Sequence, residues 1–241
     1  LRHKTVRLLF LAWALVLTGW LANSYRTRGV DPALLHGSVD ADENLLLRPR
    51  APGAASGLVF ICGSGVAAEA YVPMLRPLAD AGFPVIIIKL PLRFAPLDSN
   101  KDEALQRVRR TMAAHGEVQR WVVAGHSLGG ALAARLAHEA PKLPAAMVLV
   151  GTTHPKQQDL SGLRIPVTKV FASNDGVARM ADVMRNKPLL PPQTRWIEIK
   201  GGNHSQFGHY GHQLLDGDPT VSREAQQAVV TQALLDALKP S

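Results

Sequence analysis

Residues 121–137, WVVAGHSLGGALAARLA, decide how this chain is read. An apolar run ends at Ala124, the pattern Gly125-His126-Ser127-Leu128-Gly129 follows, and an alanine-rich helical stretch continues from Leu128. A Gly-x-Ser-x-Gly pattern alone is common, but between a strand and a helix it has a physical meaning. A sharp strand-to-helix turn strains the serine backbone, and glycines two positions to either side remove the side chains that would collide with it. Ser127 is then presented at the C-terminal edge of a sheet. The helix beginning at Leu128 points free N–H groups and the positive end of its dipole to the same place. This arrangement suits a serine nucleophile whose reaction develops an oxyanion.

Outward from this turn the chain alternates strand-like apolar runs with helical patterns. The runs fall at 58–61, 85–89, 121–124, 146–150, 167–171 and 195–199, and the helical patterns include 69–81, 102–115, 128–139 and 222–238. Continuous rather than alternating apolar strands predict an α/β fold, a mostly parallel sheet with helices on both faces. In the last helix Val229, Ala233 and Leu234 share an apolar side, leaving Arg223, Glu224, Gln226 and Gln227 to face water. Residues 29–57, with Pro32, Pro49 and Pro52, read as a linker carrying one or two edge strands around ENLLLRPR, ahead of a domain at 58–241.

A length of 241 residues allows one sizeable core, and the single cysteine, Cys62, excludes an internal disulfide framework and a cysteine-rich metal site. The formal charge of +8 invites a nucleic-acid reading. Five of the basic residues, however, precede the first acid, Asp31, and the remaining 22 basic and 19 acidic residues nearly balance. Arg107, Arg109 and Arg110 lie opposite Leu105, Val108 and Met112 with no interleaved aromatics, the pattern of a solvated helix face, so no nucleic-acid partner is expected.

The first 28 residues place basic groups on both sides of an uncharged stretch at 8–25. That length sits at the lower edge of the roughly 17–25 residues that cross a bilayer, so a signal peptide or a signal anchor is expected. Ala22 and Ser24 make a poor cleavage site, which favours an uncleaved membrane anchor with the body of the protein outside the cytoplasmic face.

A second glycine-rich turn lies in LVFICGSGVAAEAY, 58–71, where Gly63, Gly65 and Ala68 fit the spacing of a dinucleotide-binding turn. Such a turn needs a carboxylate at the end of the next strand, and that strand, VIIIKL, ends in Lys89. No cofactor is therefore expected.

Taken together these features resemble the α/β-hydrolase fold family over roughly 58–238. Its members place a catalytic triad in the order Ser, then Asp or Glu, then His. The resemblance implies that Asp175, in the turn of PVTKVFASNDGVA, and His204, in the loop of TRWIEIKGGNHSQFGHYG, complete the triad with Ser127. The ending GGNHSQFG and the EAY of the first helix are similar to those of small bacterial hydrolases, often membrane-anchored. The same likeness aligns CGSGVAAEAY with the usual H-G-x7-Y form, which implies that the Ser64 amide joins that of Leu128 as oxyanion donor, with Cys62 in place of the usual histidine.

Rival assignments are weaker. Asp98 and Asp159 do not directly follow the penultimate strand, and His126 diverges from the serine on the turn. Cys62 ends a buried strand. His204, His209 and His212 do not have a recognised zinc spacing, so no metal is expected. Only sixteen residues, 151–166, separate two strands where many lipases carry a helical lid, so no lid domain is expected and an open site suits small or water-soluble acyl compounds. Residues 90–98, LPLRFAPLD, form either a pocket wall or packing under the last helix. The function expected is hydrolysis of a carboxylic ester or related acyl bond of a small molecule through an acyl-enzyme. Thioesterase or acyltransferase chemistry, a membrane-tethered binding protein without turnover, and a dinucleotide-dependent oxidoreductase are the alternatives.

Overall fold

The computed structural model describes residues 2–50 and 55–239. Its sheet has eight strands, and their burial follows from their sequence. β1 (Ser38–Asp40) is a short edge strand, and β2 (Asn44–Leu47) alternates half-buried and buried positions. β3 (Ser56–Ile61), β4 (Val85–Ile88) and β6 (Ala146–Val150) are buried at every residue, as strands covered on both faces must be. β5 (Arg120–His126), β7 (Val167–Ala172) and β8 (Arg195–Ile199) complete the order β1-β2-β4-β3-β5-β6-β7-β8. The β1–β2 and β2–β4 pairs are antiparallel and the rest are parallel.

Among the helices, α1 (Arg2–Ser24) precedes the sheet. α2 (Val72–Asp80) joins β3 to β4, α3 (Asp98–Ala114) joins β4 to β5, and α4 (Leu128–Glu139) joins β5 to β6. A short α5 (Met180–Arg185) follows β7, and α6 (Arg223–Leu238) closes the chain. α2 packs on α6 and α3 on α4. Right-handed crossovers that leave β3 and β5 in opposite directions put these pairs on opposite faces. The strand order reverses between β3 and β5, the point at whose C-terminal edge open α/β sheets place their ligands. The register pairs Ile61 with Gly125, so the loops after β3 and β5 leave the sheet side by side.

The sheet continues into the region read as a linker: β1 and β2 extend it, and Ser56 and Gly57 already belong to β3, while Pro52 lies outside the described residues. The helix expected at 69–81 is divided into a 3-10 turn at Ala68–Tyr71 and α2, because Pro73 in the first turn of α2 donates no N–H. α3 begins at Asp98, ahead of its expected start, where the Asn100 side-chain Oδ1 accepts from the Leu97 amide. Residues 151–166 contain no helix, and no lid domain is present among the described residues.

One expectation needs correction. Gln226 and Gln227 do not face water: both are buried, the first completely. At the N-terminus, Leu8, Leu9, Phe10, Leu11, Trp13, Leu15 and Val16 are exposed on α1, yet no helix among the described residues is long and apolar enough to cross a membrane. Beyond α1 the chain is tied to the body by Arg93 Nη2 donating to the Tyr25 carbonyl and by the Arg28 amide donating to that of His209.

One cation of the strands is fully buried. Lys169, on β7, is 1% exposed, and its ammonium donates to the His154 carbonyl at 2.5 Å. Desolvation lowers its pKa from 10.5 to about 7. Between those values the unfolded chain binds the proton that the folded chain has released, so stability rises with pH across this window and the penalty is full below it. Lys169→Met is expected to raise the urea midpoint at pH 7 by an amount that shrinks towards pH 10. Equal shifts at both pH values would show that Lys169 is not held in this way.

Candidate active site

The turn after β5 carries the strain expected of it. Ser127 has φ 54° and ψ −117°, a conformation that costs a non-glycine residue about 1–3 kcal/mol. It persists because the surroundings permit little else. A Cβ at Gly125 would overlap the backbone of Gly129, and one at Gly129 would overlap the carbonyl of Ile61 on β3. The Ser127 amide donates to the Val150 carbonyl of β6 at 3.0 Å, and its carbonyl accepts from Ala131 inside α4. The Leu128 amide opens α4 and meets no backbone acceptor among the described residues.

The glycine-rich loop after β3 runs alongside. Gly65, at φ 79°, takes the left-handed conformation, and its amide donates to the Arg93 carbonyl at 2.9 Å. Ser64 Oγ donates to the Phe94 carbonyl, and the Ser64 amide, like that of Leu128, has no backbone acceptor among the described residues. The Gly63 amide donates to Tyr71 Oη at 2.9 Å. That leaves the tyrosine hydroxyl proton for His126 Nδ1, also at 2.9 Å. Burial, and behind it the nearby His204, holds His126 well on the neutral side of its ordinary value. Tyr71 therefore ties the loop after β3 to the turn after β5. The signal for it in the sequence is the tyrosine eight residues beyond Gly63.

The remaining groups come from β7 and β8. Asp175 Oδ2 meets His204 Nδ1 at 2.8 Å, and both side chains are 1% exposed. Asp175 Oδ1 accepts from the amides of Val177 and Ala178, which fixes the carboxylate in its turn. The His204 ring lies 4.5 Å from that of His126, the residue preceding Ser127, and its Nε2 is buried without a partner among the described residues. The structure thus brings His204 to Asp175 on one side and to the serine turn on the other.

Two supporting residues were not singled out from the sequence. Asp216 accepts through Oδ1 from the amides of His204, Gly176 and Gly217, and through Oδ2 from the amide and hydroxyl of Ser205. One carboxylate thus joins the histidine loop to the Asp175 turn. The buried Gln226 of α6 accepts from the Asn203 amide through Oε1 and donates to its carbonyl through Nε2. Only turn residues surround Asp216 in the sequence, whereas the polar run at 222–227 reads as solvated.

The rival residues have other roles. The Asp98 carboxylate pairs with Lys101 on the surface, and Asp159 accepts from the Ser161 amide. Cys62 is fully buried, and desolvation pushes its thiol well above the ordinary range, which leaves it a poor nucleophile. The His209 amide donates to the Ala70 carbonyl, while His212 is exposed with its Nε2 beside the Asp216 carbonyl. No trio of His, Cys, Asp or Glu among the described residues is arranged to hold a metal ion.

Because Asp216 is surrounded by donors, Asp216→Asn turns one acceptor into a donor that faces N–H groups. The variant is expected to lose about 1–3 kcal/mol of stability, read from denaturant midpoints, and to lose activity beyond its unfolded fraction as the His204 loop loosens. Unchanged stability would remove Asp216 from the support of the site.

Residues 57–228 match the model of the alpha/beta hydrolase family. Among curated proteins, a candidate non-heme haloperoxidase of Mycobacterium phage D29 is 35% identical over 101 residues, and the match spans 41% of this chain and 36% of that protein's length. Among solved structures, a membrane phospholipase A, described as a bacterial virulence factor, superposes with a TM-score of 0.63 at 18% identity over 100% of this chain and 99% of its own. Est1E from Butyrivibrio proteoclasticus gives 0.62 at 14% identity, covering 83% of this chain and 98% of its own. Acyl-protein thioesterase 2 of Zea mays also gives 0.62 at 14%, covering 83% and 100%. Identities this low carry the fold alone, whereas the family match covers most of the sheet, the serine turn and the histidine loop. The chain belongs to the α/β-hydrolase family.

Proposed function

We propose that the protein is a serine hydrolase that cleaves a carboxylic ester or a related acyl bond through Ser127, His204 and Asp175. The observation that carries this reading is the buried Asp175–His204 pair at 2.8 Å, whose imidazole abuts the strained turn that presents Ser127. A serine hydroxyl is a weak nucleophile until a neighbouring imidazole takes its proton, and the carboxylate on Nδ1 selects the tautomer that leaves Nε2 free to do so.

In this mechanism Ser127 Oγ bonds to the acyl carbon as its proton passes to His204 Nε2. The negative charge that develops on the acyl oxygen accepts from the amides of Leu128 and Ser64. Collapse of the tetrahedral adduct breaks the bond to the leaving group, which takes the proton from His204. Water then gives a proton to His204 and attacks the acyl carbon, releasing the acid and returning the proton to Ser127. Asp175 stays ionised throughout and stabilises the imidazolium.

The test is labelling of the purified protein by a small fluorophosphonate, followed by turnover of matched ester and thioester substrates. Wild type is expected to label at Ser127, with labelling abolished in Ser127→Ala and His204→Ala. Asp175→Asn is expected to lower kcat by about 10⁴-fold without unfolding the chain. A folded wild type that neither labels nor turns over any acyl substrate would sink the proposal and favour a binding role on the same fold.

A further inference from the structure

Where β4 leaves the sheet, residues 91–97 form a loop of unusual backbone. Leu92, Arg93 and Ala95 have φ of 51°, 64° and 46°, left-handed values rare for residues with side chains and each costing about 1–3 kcal/mol. Leu92 and Leu97 are largely exposed, and Phe94 is 44% exposed. A loop that keeps three strained residues and shows its apolar side chains to solvent is shaped by something other than its own packing.

What holds it is the site. The Arg93 carbonyl accepts from the Gly65 amide, Arg93 Nε donates to the Gly65 carbonyl, and the Phe94 carbonyl accepts from Ser64 Oγ. Arg93 Nη2 reaches the Tyr25 carbonyl, and the Tyr25 and Phe94 rings meet edge to face at 5.7 Å. A Cβ at Gly65 would lie 2.6 Å from the Tyr25 ring and 2.8 Å from that of Phe94, so both rings are pressed onto the loop that offers the Ser64 amide. Beyond them a cleft of about 490 Å³ opens between α1 and this loop, lined by Thr18, Ala22, Tyr25, Arg93 and Phe94.

Two rings, a methyl group and a threonine form most of that wall. Its one ionic group, Arg93, donates through Nε and Nη2 to the backbone carbonyls of Gly65 and Tyr25. Clefts of several hundred Å³ with apolar walls suit apolar ligands, and this one borders the oxyanion loop, where a bound ester would place its carbonyl. Resting on the serine-hydrolase reading above, we infer that this cleft is an acyl-chain subsite, and that the substrate is an ester with an extended alkyl arm lying between α1 and the 91–97 loop. The inference reverses the expectation drawn from the missing lid. Segment length leaves the site without a lid after β6, but α1 supplies an apolar wall from the other end of the chain.

The experiment uses the full chain and p-nitrophenyl esters from acetate to decanoate, below their aggregation concentrations. Wild-type kcat/KM is expected to rise at least tenfold from acetate to decanoate. Ala22→Trp fills the cleft and Phe94→Ala removes one wall; each is expected to cut the decanoate-to-acetate ratio by at least tenfold, while fluorophosphonate labelling reports whether the nucleophile survives. Ala22→Cys gives a readout independent of turnover. Cys62 is buried, so the new thiol dominates maleimide labelling, and decanoate is expected to slow that labelling at least threefold. If wild type labels with fluorophosphonate but its rates are flat or falling with chain length, or the variants leave the ratio unchanged, or decanoate gives no protection, the subsite is overturned while the serine hydrolase stands. If folded wild type neither labels nor turns over any ester, the hydrolase reading itself is lost.

Discussion

Helix α4 is laid against the backbones of β3 and β5 so closely that no side chain fits at Gly125 or Gly129, and the site depends on this approach. It brings the start of α4 to the C-terminal edge of the sheet and forces Ser127 to absorb the change of direction at φ 54°. The strain is local and the compensation is distributed. The amide of Ser127 is held by β6, its carbonyl starts the hydrogen bonding of α4, and the strands around it are buried throughout. A free-energy cost of about 1–3 kcal/mol is sustained because relaxing the serine would require α4 to leave the sheet.

The Asp175–His204 pair is assembled by a different device. Asp175 and His204 stand on loops after adjacent parallel strands, and loops of this kind vary unless something couples them. Here the coupling is polar and buried. Asp216 draws amides from both loops onto one carboxylate, and Gln226 fastens Asn203 to α6 through both ends of its amide. Buried polar groups with their partners in place specify geometry more sharply than apolar contact does, since each displacement leaves a donor or acceptor unmet.

The parts of this arrangement that were legible in the sequence are those governed by local rules. The bounds of β6, β8 and α4 follow the apolar runs residue for residue, and the Gly-x-Ser-x-Gly turn lies at the junction its flanks predict. Asp175 and His204 were placed by resemblance in chain order, and the structure brings them into contact. Long-range contacts were not legible. Gln226 and Gln227 sit among charged residues at the start of a helix, where polarity reads as exposure, but a loop from another strand lies over them. Asp216 resembles any turn aspartate until the loops that feed it are folded.

The Tyr71–His126 contact shows how the two halves of the site constrain one another. An imidazole 4.5 Å from His204 would oppose any positive charge arriving there if it were itself protonated. Desolvation keeps His126 neutral, and Tyr71, whose own ionisation is pushed far upward by burial, can only donate to it. The hydroxyl that donates to His126 Nδ1 also accepts the Gly63 amide, so the orientation of one histidine ring and the position of the glycine-rich loop rest on the same oxygen. Loss of that oxygen would leave an amide and an imidazole nitrogen unmet in a dry interior, at about 1–3 kcal/mol each. Tyr71 thereby holds the ring packed against His204 and the glycine-rich loop facing it in one fixed arrangement.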